Sequence, residues 1–294
     1  MFTNAVVGID GEQGGRDAVA LARRLWAPGG RITLAHVYGV GLVLHGGWHH
    51  LLSPQRAVAL ERLERERDAA ALDVPVVPFL DRSVGRGLHR LAESVAADLL
   101  VVGSCRRSLL GRVFLGSDTL FALSGAPCAV AIAPMGYAAR PYEVASIGVG
   151  YDGSPESEHA LAAAREIARR HDSRVKVRSV VSLQSIPSGE SIPENWPDVA
   201  KRLMDDERGR LRDLAGVEGD VSYGEASEEL AQFSEGLDLL IVGSRSYGPP
   251  GRLVSGSTST YLAERGRCPL LVLPRSATEE AEADPFREAI RTHP

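Results

Sequence analysis

Residues 97–104 have the sequence ADLLVVGS, and residues 237–244 have the closely similar sequence LDLLIVGS. The two segments lie 140 residues apart in the chain. Each contains a run of four apolar residues that ends at Gly-Ser. Such a run is typical of a central parallel strand, because both faces of that strand are buried. We therefore expect one parallel sheet in each half of the chain.

Three further pairs of segments keep the same order along the chain. They are VVGIDG at 6–11 with GVGYDG at 148–153, GRVFLGS at 111–117 with GRLVSGS at 251–257, and APCAVAIAP at 126–134 with GRCPLLVLP at 266–274. Because order and spacing are both preserved, we interpret the chain as a duplicated domain rather than a solenoid of short repeats. The predicted division is a first domain at 1–135, a second domain at 145–275 and an acidic, solvated tail at 276–294.

Composition and charge exclude several classes of protein. A length of 294 residues suits two domains of ordinary size. The net charge of −5 argues against a nucleic-acid partner. The chain has three Cys and no C-x-x-C pair, which argues against a disulfide framework or a zinc ribbon. No signal-peptide or membrane-span pattern is visible, so we expect a soluble, cytoplasmic protein without a membrane partner.

Strand and helix patterns alternate in both halves. Strands are expected at 6–9, 32–38, 74–78 and 99–102, and again at 147–150, 174–181, 220–223 and 239–242. With a last helix beginning at Ser117 or Ser257 and a last strand ending at Pro134 or Pro274, each half has the order β-α-β-α-β-α-β-α-β. This predicts an α/β fold of two doubly wound domains, each a five-stranded parallel sheet flanked by helices. Ligands of such sheets bind at the carboxyl ends of the strands, near the topological switch point.

These motifs together resemble the universal stress protein family, in two copies that span nearly the whole chain. The resemblance lies in the V-G-x-D-G start, the D-L-L-[VI]-V-G-S strand, the Gly-Ser before the last helix and the closing strand that runs from a Cys to a Pro. It implies that the halves pair through their last strands as an intramolecular pseudo-dimer. It also implies a stress-response regulatory protein that binds adenine nucleotide in one or both domains.

Nucleotide-binding members of that family share the pattern Gly, two residues, Gly, nine residues, then Gly-Ser or Gly-Thr. They hold adenosine with an Asp after the first strand and a backbone group at the end of the second. The resemblance therefore implies one site at Asp10, Val37, Gly103, Arg106, Gly116 and Ser117, and another at Asp152, Val180, Gly243, Ser246, Gly256 and Ser257. Glycines let backbone N–H groups approach phosphates, and a helix that begins at Gly-Ser attracts anions at its N-terminus.

Both copies depart from this pattern at the second glycine, where Arg106 and Ser246 stand. Ser246 adds only a small hydroxyl, which can donate to phosphate. Arg106 either blocks the loop or pairs with phosphate through its guanidinium. Asp118 adds a negative charge to the first site, whereas the second has the neutral Thr258 at that position, so we expect the second half to be the better nucleotide site.

The departure leaves two alternatives open. One is a universal stress protein that binds no nucleotide and acts as a protein-interaction module. The other is an enzyme of the adenosine-nucleotide hydrolase type with the same sheet, which the absence of a G-x-S-x-G elbow, a Walker lysine and an H-E-x-x-H helix disfavours. We therefore predict no catalytic residues and at most slow ATP hydrolysis. The expected ligand is ATP or another adenine nucleotide, with Mg; the expected partners are an unidentified protein and a second copy of the tandem chain.

The remaining His and Cys residues receive structural interpretations. His45, His49 and His50 surround Trp48, and we interpret the segment 39–52 as a lid or partner surface rather than a metal site. His36 is expected to be a hydrogen-bonded core histidine. Cys128 and Cys268 are expected to be buried thiols, and Cys105 a bystander in the first loop rather than a redox-sensitive group.

Overall fold

The computed structural model describes residues 1–39, 48–104, 117–139, 143–182, 195–244, 253 and 256–275, with the backbone alone for 48–53 and 117–118. The first half contains β1 (Phe2–Gly8), α1 (Gln13–Leu25), β2 (Trp26–Tyr38), α2 (Trp48–Ala69), β3 (Val76–Leu80), α3 (Val84–Ser94), β4 (Leu99–Gly103), α4 (Ser117–Leu123) and β5 (Ala129–Ala133). The second contains β6 (Ser146–Gly150), α5 (Pro155–His171), β7 (Arg174–Val181), α6 (Trp196–Asp213), β8 (Glu218–Tyr223), α7 (Ala226–Phe233), β9 (Leu239–Gly243), α8 (Ser257–Arg265) and β10 (Leu270–Leu273). This is the predicted alternation, in both halves.

The strands form one ten-stranded sheet in the order β3-β2-β1-β4-β5-β10-β9-β6-β7-β8. Every pairing within a half is parallel, whereas β5 and β10 pair antiparallel. The order reverses between β1 and β4 in the first half and between β6 and β9 in the second. These two points are the switch points at which ligands of doubly wound sheets bind.

The two halves meet at the centre of this sheet, through the last strand of each. Ala131 of β5 is paired with Leu271 of β10, and every residue of both strands is buried. Leu253 adds a bridge next to this seam, because its N–H donates to Ala126 O at 2.8 Å and its carbonyl accepts from Gly125 N at 2.7 Å. The contact between last strands that the family resemblance implies is therefore the contact found.

Two apolar layers cover the sheet, and each extends through both halves. One layer packs α1, α2, α5 and α6 against the sheet, and the other packs α3, α4, α7 and α8 against the opposite face. The largest fully buried side chains include Leu21, Leu34, Leu100, Leu161 and Leu240. Because burial of each such side chain stabilises the fold by about 1.5–3 kcal/mol, the two layers carry most of the stability.

A pair of equivalent carboxylates fixes the first strand of each half. Asp98 accepts hydrogen bonds from the Thr3 and Asn4 N–H groups at 2.7 and 2.9 Å. Asp238 accepts from the Ala145 and Ser146 N–H groups at 3.0 and 2.8 Å. The same anchor in both copies is further evidence that the halves share one fold.

The start of the segment between the halves is fixed to α1. Asp17, which is fully buried, accepts hydrogen bonds from the Gly136 and Ala138 N–H groups, each at 2.7 Å. Tyr137 between them is buried as well. The segment after the predicted first domain, which ends at residue 135, therefore begins with a turn that packs against the first half.

Three expectations about element boundaries are wrong. Strand β2 begins at Trp26 rather than at residue 32, because Trp26 pairs with Phe2 before an irregular register leads into the main ladder. Helix α2 begins at Trp48, so the end of the proposed lid segment is helical and Pro54 lies inside a helix. Strand β3 runs from Val76 to Leu80 rather than over 74–78; it includes Pro78, as expected, which an edge strand tolerates because its N–H is not needed by a neighbour. Among the described residues, none of the helices has both the length and the apolar character that spanning a bilayer requires.

Candidate functional site

The carboxyl ends of β1, β2 and β4 bring three of the predicted site residues together. Asp10, Val37 and Gly103 all line one cavity of about 210 Å³ at the switch point of the first half. The other lining residues are Gly8, Ile9, Gly14, Gly15, Ala35, His36, Val84, Leu88, Val102 and Thr119. Its walls are thus mostly apolar, with a few polar groups, as is usual in small-molecule sites.

The Asp10 carboxylate is oriented by the start of α1. Its Oδ1 accepts hydrogen bonds from the Glu12 N–H at 2.8 Å and the Gly15 N–H at 2.9 Å. A Cβ atom at position 15 would stand 2.9 Å from this same oxygen, so glycine is needed there. The turn after β1 therefore holds the carboxylate in place beside the cavity.

Gly103 and Gly243 are explained by packing alone. A Cβ atom on Gly103 would lie 2.1 Å from the Gly14 carbonyl oxygen in α1, and one on Gly243 would lie 2.5 Å from the Glu156 carbonyl oxygen in α5. Real Cβ atoms do not approach backbone so closely, so each strand end requires glycine for contact with the helix. The family pattern connects these glycines with phosphate, whereas the geometry gives them a structural role in helix packing.

His36 and Arg62 form a polar pair at the edge of the cavity. His36 Nδ1 donates to the Ile9 carbonyl oxygen at 2.6 Å, and its Nε2 lies 3.3 Å from Arg62 Nη1. Arg62, which is on α2, also donates from Nη1 to the Asp10 carbonyl oxygen at 3.2 Å. His36 is therefore a hydrogen-bonded histidine as predicted, but it faces the cavity rather than a closed core.

The pKa of His36 predicts a pH dependence of stability. Burial lowers this pKa below the usual 6.5, and Arg62 also lowers it, against the opposing hydrogen bond to Ile9 and the charge of Asp10. In the window between the folded pKa and 6.5, the unfolded state binds more protons, so the free energy of unfolding rises with pH. This contribution to stability is lost as the pH falls below 6.5, the pKa of His36 in the unfolded state.

We expect His36→Gln to flatten the dependence of unfolding free energy on pH between about pH 5 and pH 7, because glutamine has no proton to take up there. Denaturant titrations of the wild type and the variant across that range measure the difference. An NMR titration in which His36 gains its proton at or above 6.5 would contradict the expectation.

The second half places its predicted residues at the corresponding strand ends. Asp152 follows β6, and its Oδ1 accepts from the Ser154 N–H at 3.1 Å and the Ser154 hydroxyl at 2.5 Å. Val180 is in β7 and Gly243 ends β9. Gly256 directly precedes α8, which begins at Ser257. A Cβ atom on Gly256 would meet no described residue within 4 Å, so this part of the chain leaves the position open to an approaching ligand.

Several predicted residues lie outside the described part of the chain. These are Arg106, Gly116 and Ser246, together with Cys105 and His45. Ser117 begins α4, as expected, but only its backbone is described, and the same holds for His49 and His50 in α2. Among the residues that the structure describes, no cluster of three or more His, Cys, Asp or Glu side chains could hold a metal ion.

Cys128 and Cys268 are buried, as predicted from their places before the last strands. Burial raises the pKa of each thiol to about 12, and the nearby Asp98 and Asp238, respectively, act in the same direction. A thiol with so high a pKa stays protonated at neutral pH and is a poor nucleophile.

Sequence reasoning missed two residues beside the cavity. Arg62 has no motif of its own, and it reaches the Asp10 carbonyl oxygen because α2 packs against β2 and β3 next to the end of β1. Thr119 lines the cavity and donates its hydroxyl proton to the Gly103 carbonyl oxygen at 3.0 Å. Arg210 has the corresponding place beside Gly153, but this correspondence becomes visible only in the structure.

Comparisons with known proteins agree with the fold and the repeat. The model of the universal stress protein family matches residues 1–134 and again residues 144–274. A universal stress protein of Mycobacterium tuberculosis is 26% identical over 243 residues, which cover 77% of this chain and 81% of the relative. A second one from that organism is 31% identical over 187 residues, covering 61% and 63%.

Among solved structures, a universal stress protein from Archaeoglobus fulgidus superposes with a TM-score of 0.67 at 18% identity, covering 93% of this chain and 99% of that one. A putative universal stress protein from Pseudomonas aeruginosa gives a TM-score of 0.61 at 18% identity, covering 93% and 94%. At these identities the likeness establishes the fold alone. The family model, which matches both halves, establishes more: the chain belongs to the universal stress protein family and carries two copies of its domain.

Proposed function

We propose that this universal stress protein binds adenine nucleotide in one or both halves and acts as a regulatory module. The observation that carries the proposal is the cavity of about 210 Å³ at the first switch point, on which Asp10, Val37 and Gly103 converge. Apolar walls from Val84, Leu88 and Val102 suit a flat base, and the Asp10 carboxylate can accept from its amino group. No described constellation supports efficient phosphoryl transfer, so slow ATP hydrolysis is the most that we propose.

The phosphate end of each site is proposed to lie at the start of the last helix. In the second half, Gly256 precedes α8 in extended backbone with φ −80° and ψ 172°, and none of the described residues fills the space beside it. N–H groups in the first turn of a helix bind anions, and a glycine before them allows a close approach. ATP with Mg, ADP and AMP are therefore the candidate ligands.

Calorimetric titration with ATP, ADP and AMP tests the proposal and separates the halves. We expect saturable binding by the wild type, and at least about a tenfold loss of affinity for the second site in Gly256→Val, because the branched side chain would fill the approach to α8. The extended backbone accepts valine, so the fold should be retained.

Gly256→Ser is the matched control, since serine is small and is a favourable residue before a helix. Binding that survives in Gly256→Val belongs to the first half. Absence of both heat and a thermal shift at millimolar ATP, ADP and AMP would overturn the proposal and leave the protein-interaction module as the function of this chain.

A further inference from the structure

A second cavity, of about 290 Å³, lies between the end of β2 and helix α2 in the first half. It shares His36 with the cavity proposed for nucleotide. The remaining lining residues are Tyr38, Gly39, Pro54, Gln55, Val58, Ala59 and Arg62. Most of this wall is aliphatic, and the polar groups are concentrated on Gln55, His36 and Arg62.

Two of these polar groups, on Gln55 and Arg62, are incompletely satisfied by the residues that the structure describes. Gln55 Oε1 is buried and accepts no hydrogen bond from any described residue. Buried acceptors of this kind are rare in folded proteins. Arg62 is half-buried, yet its two hydrogen-bond contacts are with the Asp10 carbonyl oxygen and His36, and the ion pairs found in the described part of the chain do not include it.

The second half shows which group complements an arginine at this position. Arg62 and Arg210 correspond, because each lies beside the glycine that follows the site Asp, Gly11 or Gly153, and each directly precedes a buried leucine on its helix. Three residues earlier on each helix stand Glu207 and Ala59, respectively.

Glu207 fills the equivalent space with a carboxylate. Its Oε1 accepts from Arg210 Nη1 at 2.8 Å, and its Oε2 accepts from the Ser179 hydroxyl at 3.3 Å. The Ile9 N–H donates to the Ala35 carbonyl oxygen, and the Tyr151 N–H donates in the same way to that of Arg178. Ser179 and His36 each follow one of these acceptors, so they correspond. In the first half the methyl group of Ala59 leaves this carboxylate position vacant and lines the cavity instead.

We infer that the first-half cavity binds a small carboxylic acid that also carries a hydroxyl or amino donor. The ligand carboxylate pairs with Arg62 in the way that the Glu207 carboxylate pairs with Arg210, since guanidinium groups favour carboxylates. The donor supplies the hydrogen bond that Gln55 Oε1 lacks, and the carbon chain lies against Val58 and Ala59. The inference is independent of nucleotide binding and concerns a different cavity.

Titrations without nucleotide test this inference, using three probes: glycolate, 3-hydroxypropionate and 4-hydroxybutyrate. We expect saturable binding of at least one of them, and weaker binding of the acid of the same length without the hydroxyl group. Ala59→Glu should lower the affinity at least about tenfold, because it installs the internal carboxylate of the second half. Ala57→Glu adds the same charge to the exposed side of α2 and should leave binding unchanged.

Arg62→Gln provides a second variant that does not enlarge a cavity residue, and it should cause the same loss of affinity. Circular dichroism and thermal unfolding establish that each variant is folded. The inference is overturned if none of the three hydroxy acids binds saturably at millimolar concentration. It is equally overturned if binding is the same in the wild type and in folded Ala59→Glu or Arg62→Gln.

Discussion

Replacing Gly103 by Val is expected to lower the free energy of unfolding by about 3 kcal/mol. The reason is the contact with α1: the first carbon of any side chain would lie 2.1 Å from the Gly14 carbonyl oxygen and 2.5 Å from its carbonyl carbon. Both atoms belong to helix backbone, which cannot turn away as a flexible side chain can. Strand β4 and helix α1 would have to separate, and the buried contacts between them would be lost.

Gly243→Val should have a similar effect in the second half, where the contact is with the Glu156 carbonyl oxygen at 2.5 Å. Gly209→Ala is the control, because nothing lies within 4 Å of a Cβ atom there and alanine is favoured in a helix by about 0.5–1 kcal/mol. Chemical denaturation of the three variants measures the changes. A Gly103→Val protein as stable as the wild type would show that the packing explanation is wrong.

Leu253→Ala is expected to lower the unfolding free energy by about 3 kcal/mol and to loosen the contact between the halves. Leu253 is 0% exposed and packs in the apolar layer that also contains Ala126 and Cys128. Its backbone makes both hydrogen bonds of the bridge to Gly125 and Ala126. Removal of the side chain leaves a cavity at the place where the second half contacts the first.

Hydrogen exchange distinguishes this effect from ordinary loss of core packing. Leu21→Ala removes a buried leucine from α1 in the apolar layer on the opposite face of the sheet and serves as the matched control. Both variants should be destabilised, but only Leu253→Ala should speed exchange of the Gly125 and Leu253 N–H groups relative to the rest of the sheet. If those two amides exchange equally in both variants, Leu253 does not hold the bridge together.

Much of the fold could be predicted from sequence because the repeat gives each pattern twice. Buried runs such as LLVV at 99–102 are unambiguous, since a central parallel strand is apolar on both faces. The strand boundaries that were predicted wrongly are those that depend on pairing with an adjacent strand. Trp26 joins β2 because Phe2 pairs with it, and β3 continues beyond Pro78 to Leu80 because Tyr38 of β2 pairs with Leu80. Neither neighbour relation is visible in local sequence.

The candidate site was predictable to the extent that topology fixes it. Asp10, Val37 and Gly103 follow strands that must end at the same edge of the sheet, so their convergence follows from strand order. Arg62 could not be placed this way, because its position depends on how α2 crosses that edge. The offset between the copies also changes from 142 residues at Asp10 to 148 at Arg62, which hides the correspondence with Arg210.

Duplication has allowed the two sites to differ while the anchors stayed the same. Asp98 and Asp238 hold equivalent strands, yet the pair His36 and Arg62 corresponds to Ser179 and Arg210 with an internal carboxylate. A chain with two fused copies of the domain can change the site residues of one copy while the strands of the shared sheet stay the same. The two halves are therefore expected to differ in the ligands that they hold.

A difference electron-density map from crystals grown with ATP tests the central proposal most directly. We expect the adenine base in the first-half cavity, beside Asp10 and Val37, or at the equivalent strand ends beside Asp152 and Val180. In either half the phosphates should lie at the start of the last helix. Density for ATP at neither switch point, in crystals grown at millimolar nucleotide, would contradict it.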